Sequence, residues 1–565
     1  MNENQNTTGG SPAETFTLRR VDWSAAFEFS LLFRAFRLAI EPPCLLLALL
    51  AIFSIYIAGR AFDVLWGPQV LRGEISAFHS PAPVYHALLV QDRINRRRMF
   101  RHLLQESSTG LSRAAIAQLC RDPDKAYAFL RSRYKRRFHA AIHALNAARP
   151  ATGAAAAPTS LLRRAAARSL FERMRTIRNV TGRGIFDALM RYETRQFGLL
   201  VNNTLGLLRV GRPREPNRLW RRAARPRVSI ALVPRSTNRL WRSRTIAGCL
   251  ANMALTGPCW LVTGAAPMQR FPGQSNAGTW LRRGGYLASV LVFLLIVIVC
   301  LALTGAFTCR FAALSLAGKN PDFKNVLLFS WTHLLTFIKA PLLPFLTIIG
   351  TGLVLILLAL PGAIPMLGEI MVGAEFLIFL LGGFIIMLMI LGLMGGGALI
   401  YPTLAVEGSD SFDAISRSFS YVYARPWRTL FYSLIALVYG VWTYLFLTAA
   451  LTLLLATTHL CVGWGMSLFG LLHGWYSGEN KLDALWAAPK FGRLIGPVNW
   501  WAMNGSEFIG ALAMYFWLFL GVSLLGAYVI VYFFTSNTIV YLLLRRRVDG
   551  QPTDEIYLEP APSDV

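Results

Sequence analysis

Lysine is nearly absent from this chain, occurring seven times in 565 residues that hold 57 lysines and arginines together. Acids are scarce as well, 29 Asp and Glu, so the formal charge is +28 and almost all of it is arginine. Such a balance excludes an acidic, self-repelling tail protein and points to anionic partners: lipid headgroups, nucleic acid or acidic proteins. An arginine-for-lysine bias is also what a GC-rich genome produces. Cysteine is sparse and unpatterned. Cys44, Cys120, Cys249, Cys259, Cys300, Cys309 and Cys461 are odd in number, contain no CxxC pair and fall partly inside apolar runs. That spacing argues against a disulfide framework or a zinc site and for small buried hydrophobes. Residues Met1 to Phe16 are polar, so no signal peptide is read there and the first span should anchor as well as target.

What the chain has instead is long apolar runs. A hydrocarbon core about 30 Å thick needs roughly 20 apolar residues of helix, and several runs meet that length without a charge. The pattern predicts an all-α, polytopic helical membrane protein with six to seven transmembrane helices and a basic, largely helical extramembrane domain. Residues 1–42 read as a tail plus an interfacial helix carrying Phe27, Leu31, Phe33 and Phe36. The first span is 43–59. Residues 60–244 form the arginine-rich domain, with a linker at 151–160. Residues 245–267 are a possible transmembrane or re-entrant segment. A five-helix region fills 286–544, with spans near 286–307, 338–360, 374–400, 429–456 and from Phe508 toward Leu544; a tail, 545–565, comes last.

Short loops retain positive charge in the cytoplasm. The loop 308–337 carries Arg310, Lys319 and Lys324; the loop 404–428 carries Arg417, Arg425 and Arg428; the tail begins Arg545-Arg546-Arg547. These three should be cytoplasmic, with 361–373 and 457–504 outside. Working backward, the arginine-rich domain would then be exported unless 245–267 also crosses. A seventh span there would keep 60–244 in the cytoplasm and put the N-terminal 41 residues outside. Against it stand Asn252 and the Gly257-Pro258 pair, which make a poor helix. The six-span alternative exports the basic domain, as long loops permit.

Within the basic domain the pentad NRLWR occurs twice, placing Arg218, Trp220 and Arg221, then Arg239, Trp241 and Arg242, in the same pattern. Tryptophan favours the membrane interface and arginine favours phosphate, so these six are candidates for anionic-lipid contact. No nucleic-acid motif accompanies them, and no nucleic-acid partner is expected. His139 and His143 share a helical face, but the glutamate of HExxH is missing and the surroundings are strongly basic, so no metal site is expected. Gly392 and Gly396 form a GxxxG pair suited to close helix packing. The run VEGSDSFDAISRSFSYVYARPWR, 406–428, reads as an interfacial elbow. In it Ser411 or Asp410 caps a helix, Phe412, Ile415 and Phe419 face the membrane, and Glu407, Asp410, Asp413, Arg417 and Arg425 stay in water or pair. No nucleophile with a base, metal cluster or phosphate loop is found, so no catalytic residue, cofactor or enzymatic activity is expected.

That run, together with RFAALSLAGKNPDFKNVLLFSWTHLLTFIKAPLLP before it and SNTIVYLLLRRRVDG after it, resembles a family of uncharacterised multispanning membrane proteins from planctomycete-type bacteria. The likeness covers about the last half of the chain. More loosely, the span, VEG and interfacial helix look like the membrane domain of some glycerophosphodiester phosphodiesterases, without the His and Glu/Asp pattern of their catalytic domain. The resemblance implies membrane residence and no assigned activity; the expected location is a bacterial inner membrane with the C-terminus in the cytoplasm. The function expected from the sequence is a non-enzymatic envelope scaffold or lipid-interacting protein, with the bilayer as its partner. The alternative is a transporter or channel for a small or lipidic solute.

Overall fold

The computed structural model describes chiefly residues 28–66, 123–147, 184–208, 277–364, 367–472 and 505–557, with short pieces between them. Among the described residues six helices are long and apolar enough to cross a membrane: Pro42–Trp66, Gly284–Leu316, Leu334–Ala363, Phe376–Glu407, Pro426–Leu468 and Gly505–Val548. The protein is thus an all-α, multi-pass membrane protein. In chain order, a 3-10 turn (Glu28–Phe33) leads into α1 (Arg34–Ala39), α2 (Pro42–Trp66), α3 (Pro123–Ala147), α4 (Ile185–Leu208) and α5 (Ala277–Leu316). Then come α6 (Phe323–Thr332), α7 (Leu334–Ala359), α8 (Leu367–Ala374), α9 (Phe376–Gly396), α10 (Ile400–Glu407), α11 (Ser411–Ala424), α12 (Pro426–Leu472) and α13 (Gly505–Val548).

Side-chain contacts fix the direction of each crossing. Along α2 and α13, Ile52 lies against Gly526 and Phe53 against Phe519, while Glu28, ahead of α2, meets Arg547 at the end of α13. The two helices are therefore antiparallel. The Trp66 indole donates to the Ser289 hydroxyl at 2.8 Å, so α5 starts beside the end of α2 and returns alongside it. Farther along α5, Gly305 abuts Phe534. These contacts define two ends of the bundle. The tail face holds residues 28–41, the α5–α7 connection, the α10–α12 connection and residues 549–557; the opposite face holds Trp66, the start of α5, and the α7–α9 and α12–α13 connections.

Burial is concentrated toward the tail face, where Tyr541 to Leu544 are almost wholly enclosed and join Phe307, Val406 and Tyr528 in one core. Apolar side chains elsewhere point outward: Leu346 is 66% and Met394 82% exposed. A helix that is apolar all round and uncovered by protein meets lipid.

Several expectations change. The spans are longer than their apolar centres: the first extends from Pro42 to Trp66, and α5, α12 and α13 run 40, 47 and 44 residues. At 1.5 Å per residue the last two are about 65–70 Å long, more than a bilayer requires. The N-terminal interfacial helix is instead packed on the bundle, with Leu32, Ala35 and Ala39 fully buried and the Tyr439 hydroxyl donating to the Phe33 carbonyl at 3.1 Å. Phe27 lies outside the described residues. An odd number of spans would put Glu28 and Arg547 on opposite faces, whereas their 2.6 Å ion pair puts them on the same one. The segment 245–267 and the linker 151–160 also lie outside the described residues.

Candidate functional site at the tail face

Polar groups gather where α10, α11, α13 and the tail meet. Gly408, at φ +63°, ends α10 in the left-handed conformation that glycine adopts without steric cost, and its N–H bonds back to the Leu404 carbonyl at 3.0 Å. At the end of α13, Gly550, at φ +70°, and Pro552 turn the chain back. The tail then runs over the α10 corner: the Tyr557 N–H donates to the Val406 carbonyl at 3.0 Å, and the Tyr557 ring fills the space where a Cβ on Gly408 would stand.

Glu407 is the hub. Its Oε1 accepts from the Tyr541 hydroxyl at 2.7 Å and lies 3.0 Å from Arg545 Nε; its Oε2 accepts from Arg417 Nη1 at 3.1 Å. The Arg545 side chain is only 6% exposed and also donates to Gln551 Oε1 at 2.5 Å and the Glu555 carbonyl at 2.6 Å. Arg417 reaches Asp413 at 2.9 Å, one turn away on α11. The Tyr421 hydroxyl donates to Asp549, and burial, with that bond, pushes its phenol above the ordinary tyrosine range. Arg310, from α5, donates to the Ala405 carbonyl at 2.8 Å and the Tyr557 carbonyl at 2.7 Å, and its guanidinium sits 4.3 Å from the centre of the Phe329 ring. Three arginines (417, 545, 547) thus meet three carboxylates (Glu28, Glu407, Asp413), Asp549 takes the Tyr421 hydroxyl, and Arg310 is held by backbone carbonyls of α10 and the tail.

Among the expected elbow residues the structure brings Glu407, Asp413 and Arg417 together. Asp410 occupies the position before α11 without a side-chain cap, and Ser411 donates instead to the Thr336 carbonyl at 3.1 Å. Arg425 terminates α11 apart from the node. Phe412 is 78% exposed, but Ile415 and Phe419 are buried, contrary to their expected lipid-facing role. They turn inward because α11 packs on α7 and α9, where Gly392 and Gly396 leave the space that the Phe419 ring occupies. His139 and His143 are exposed on α3. Arg218, Trp220, Arg221, Arg239, Trp241 and Arg242 lie outside the described residues.

Sequence reasoning missed Tyr421, Tyr541, Asp549 and Glu28 as partners, and counted Arg310 as a loop charge and Arg545 as a tail charge. Arg310 lies inside FTCRFAAL and Arg545 directly follows YLLL, and that apolar context is the signal of an enclosed guanidinium.

A second cluster of polar contacts sits at the opposite face. Asp63, in the last turn of α2, accepts the Phe186 and Asp187 backbone N–H groups at 2.7 and 3.1 Å, capping α4 from another helix. The Phe186 ring occupies the gap left by Gly59 and contacts Tyr56 and Phe293.

No protein-family model, curated protein or solved structure matches this chain. The two clusters are therefore interpreted from their own chemistry.

Proposed function

We propose that the protein is a non-enzymatic scaffold or lipid-organising protein of a bacterial cytoplasmic membrane, with its tail face toward the cytoplasm. The observation that carries this reading is the tail-face node, in which α10, α11 and α13 are tied together around Glu407 and the two ends of the described bundle are joined beside it by Arg547 and Glu28. A self-satisfied network of this kind rigidifies a fold and specifies its arrangement. The short-loop arginines supply the orientation, and the broad apolar faces of α7, α9 and α12 supply the lipid contact.

The test is lipid dependence of the full chain. In nanodiscs, replacing phosphatidylcholine by phosphatidylglycerol should raise the unfolding temperature, and ~0.5 M salt should remove most of the gain because headgroup attraction is screened. Equal stability in both lipids counts against the proposal.

Transport is the second reading, favoured by Glu193 and Gln196 on α4. Each has a buried side-chain oxygen without a hydrogen-bond partner among the described residues, and ionisable groups at membrane depth commonly mark ion or proton paths. Proteoliposomes loaded with a pH dye would show a proton leak that Glu193→Gln abolishes; no leak in the parent protein removes this reading.

A further inference from the structure

The arginines of the tail face fall into two groups. Arg417, Arg545 and Arg547 are paired with carboxylates, and Arg310 is held by carbonyls. Arg34 and Arg37 on α1, with Arg425 and Arg428 where α11 turns into α12, are exposed and have no ion pair among the described residues.

The fold brings these two pairs to one edge. The 3-10 turn and α1 lie along the first turns of α12: the Phe29 ring meets Phe431 edge-on at 6.1 Å, the Phe33 ring meets Tyr439 at 5.0 Å, and the Tyr439 hydroxyl donates to the Phe33 carbonyl. Arg428 stands one turn before Phe431 and so shares the α12 face on which the 3-10 turn rests. Arg34 and Arg37 are three apart on α1 and therefore neighbours, while Leu32, Ala35 and Ala39 bury the other side of the same segment in the bundle.

The composition of the edge leaves its guanidiniums short of partners. Residues 28–41 and 425–446 hold four arginines and two acids. Glu28 is taken by Arg547 at 2.6 Å, which leaves Glu41 against four guanidiniums. Arginine stays charged at any physiological pH, so the edge requires anions that the described bundle does not supply. The start of α12 adds to this demand: its first residue is Pro426, the Trp427 and Arg428 N–H groups have no intrahelical acceptor, and the positive end of the helix dipole lies there. Next to the guanidiniums the surface is apolar and uncovered. Trp427 is 81%, Leu430 60%, Phe431 50% and Phe33 49% exposed. Arginine, then tryptophan, then aliphatic and phenyl side chains match the layers of a lipid monolayer, from phosphate through interface to hydrocarbon.

We propose that the α1–α12 edge binds an anionic phospholipid, with Arg34, Arg37, Arg425 and Arg428 around its phosphate and Trp427, Leu430 and Phe431 along the upper acyl chains. The proposal rests on the lipid-organising function proposed above and gives that function a place on the protein. Charge and apolar surface together select the occupant. A soluble anion satisfies the guanidiniums and leaves the apolar half uncovered; a zwitterionic lipid covers the apolar half but brings its own cation.

The test follows the unfolding temperature of the full chain in phosphatidylcholine nanodiscs with rising fractions of phosphatidylglycerol. Charges are removed in matched pairs: Arg425→Gln with Arg428→Gln, Arg34→Gln with Arg37→Gln, and, on α6 and α7, Lys324→Gln with Lys339→Gln. A basic side chain at an anionic surface contributes about fivefold in affinity. Each arginine pair should therefore raise the phosphatidylglycerol fraction needed for half the gain by about tenfold or more, or abolish the gain, whereas the lysine pair leaves it near the parent's. No shift in the arginine pairs, or the same shift in all three, overturns the site while the lipid dependence of the protein stands. A parent without any gain overturns the proposed function and the site with it. Glycerol phosphate added to phosphatidylcholine nanodiscs should give no gain; a gain equal to the lipid's overturns the lipid as occupant. Where an arginine pair lowers stability in phosphatidylcholine itself, the phosphatidylglycerol retained through detergent exchange is counted by intact-protein mass spectrometry, and retention equal to the parent's overturns the site.

Discussion

Replacing Glu407 by glutamine preserves the shape of the node and removes its central charge. Arg545, 6% exposed, would then face a neutral amide. Breaking a buried ion pair by removing one partner costs about 3–5 kcal/mol, because the remaining charge is left uncompensated. Gln551 and the Glu555 carbonyl still hold the Arg545 guanidinium, so the lower end, ~3 kcal/mol, is expected. Arg417 provides the internal contrast. It touches the same carboxylate at 3.1 Å, but its side chain is 44% exposed, and an exposed pair is worth no more than about 1 kcal/mol. Reversible unfolding of the full chain by SDS titration in mixed micelles gives the free energies for Glu407→Gln, Arg545→Gln and the double variant. The coupling energy from that cycle should be ~2 kcal/mol or more. Coupling below ~0.5 kcal/mol, or an Arg417→Gln cost equal to that of Arg545→Gln, would show that the node is an incidental surface cluster.

Packing and titration give three further outcomes. Gly396→Leu should destabilise the protein by about 1–3 kcal/mol through overpacking against Phe419. The same substitution in a Phe419→Ala background should cost visibly less in the same titration. Gly408→Ala combines left-handed backbone strain with a collision at the Tyr557 ring; it should loosen the tail, read as faster proteolysis between residues 549 and 557, and Tyr557→Ala should not restore the backbone part. Tyr421 supplies the pH dependence. Its folded-state pKa is raised, by burial first and by Asp549 next. Its stabilising contribution is therefore complete below the ordinary phenol value of about 10 and is lost as pH climbs above that toward the folded value. Thermal scans from pH 8 to 11 should show a steeper alkaline decline in the parent than in Tyr421→Phe.

The six apolar spans were legible because lipid imposes a simple rule: a helix facing hydrocarbon must be apolar over about 20 residues. Their lengths were not, since α12 and α13 continue past the bilayer on sequence that is still apolar, and hydropathy sees no boundary there. The elbow at 406–428 was legible as amphipathic but was assigned the wrong apolar environment. A Phe at position 419 looks the same whether it faces lipid or a glycine groove, and only tertiary contact with Gly392 and Gly396 separates the two. The node was half legible: Glu407, Asp413 and Arg417 are close in sequence, whereas Arg310, Arg545, Asp549 and Glu28 reach it from other helices. Pairing across such separations leaves no local period.

Helix α4 is amphipathic in a way the spans are not. Phe186, Leu189, Phe197 and Leu200 form its face toward the bundle, while Arg191 and Arg195 occupy the exposed one. Its position therefore depends on packing against α2 and α12 and on the Asp63 cap at its start. Asp63→Ala removes two charge-assisted hydrogen bonds to the Phe186 and Asp187 N–H groups, an effect of about 1–2 kcal/mol at a helix start. A loss of that size shifts the docking equilibrium of α4 about five- to thirtyfold. Asp63→Ala should therefore speed amide hydrogen exchange across Ile185–Leu208 while α13 keeps its protection. Exchange in α4 equal to the parent's would refute dependence on the cap.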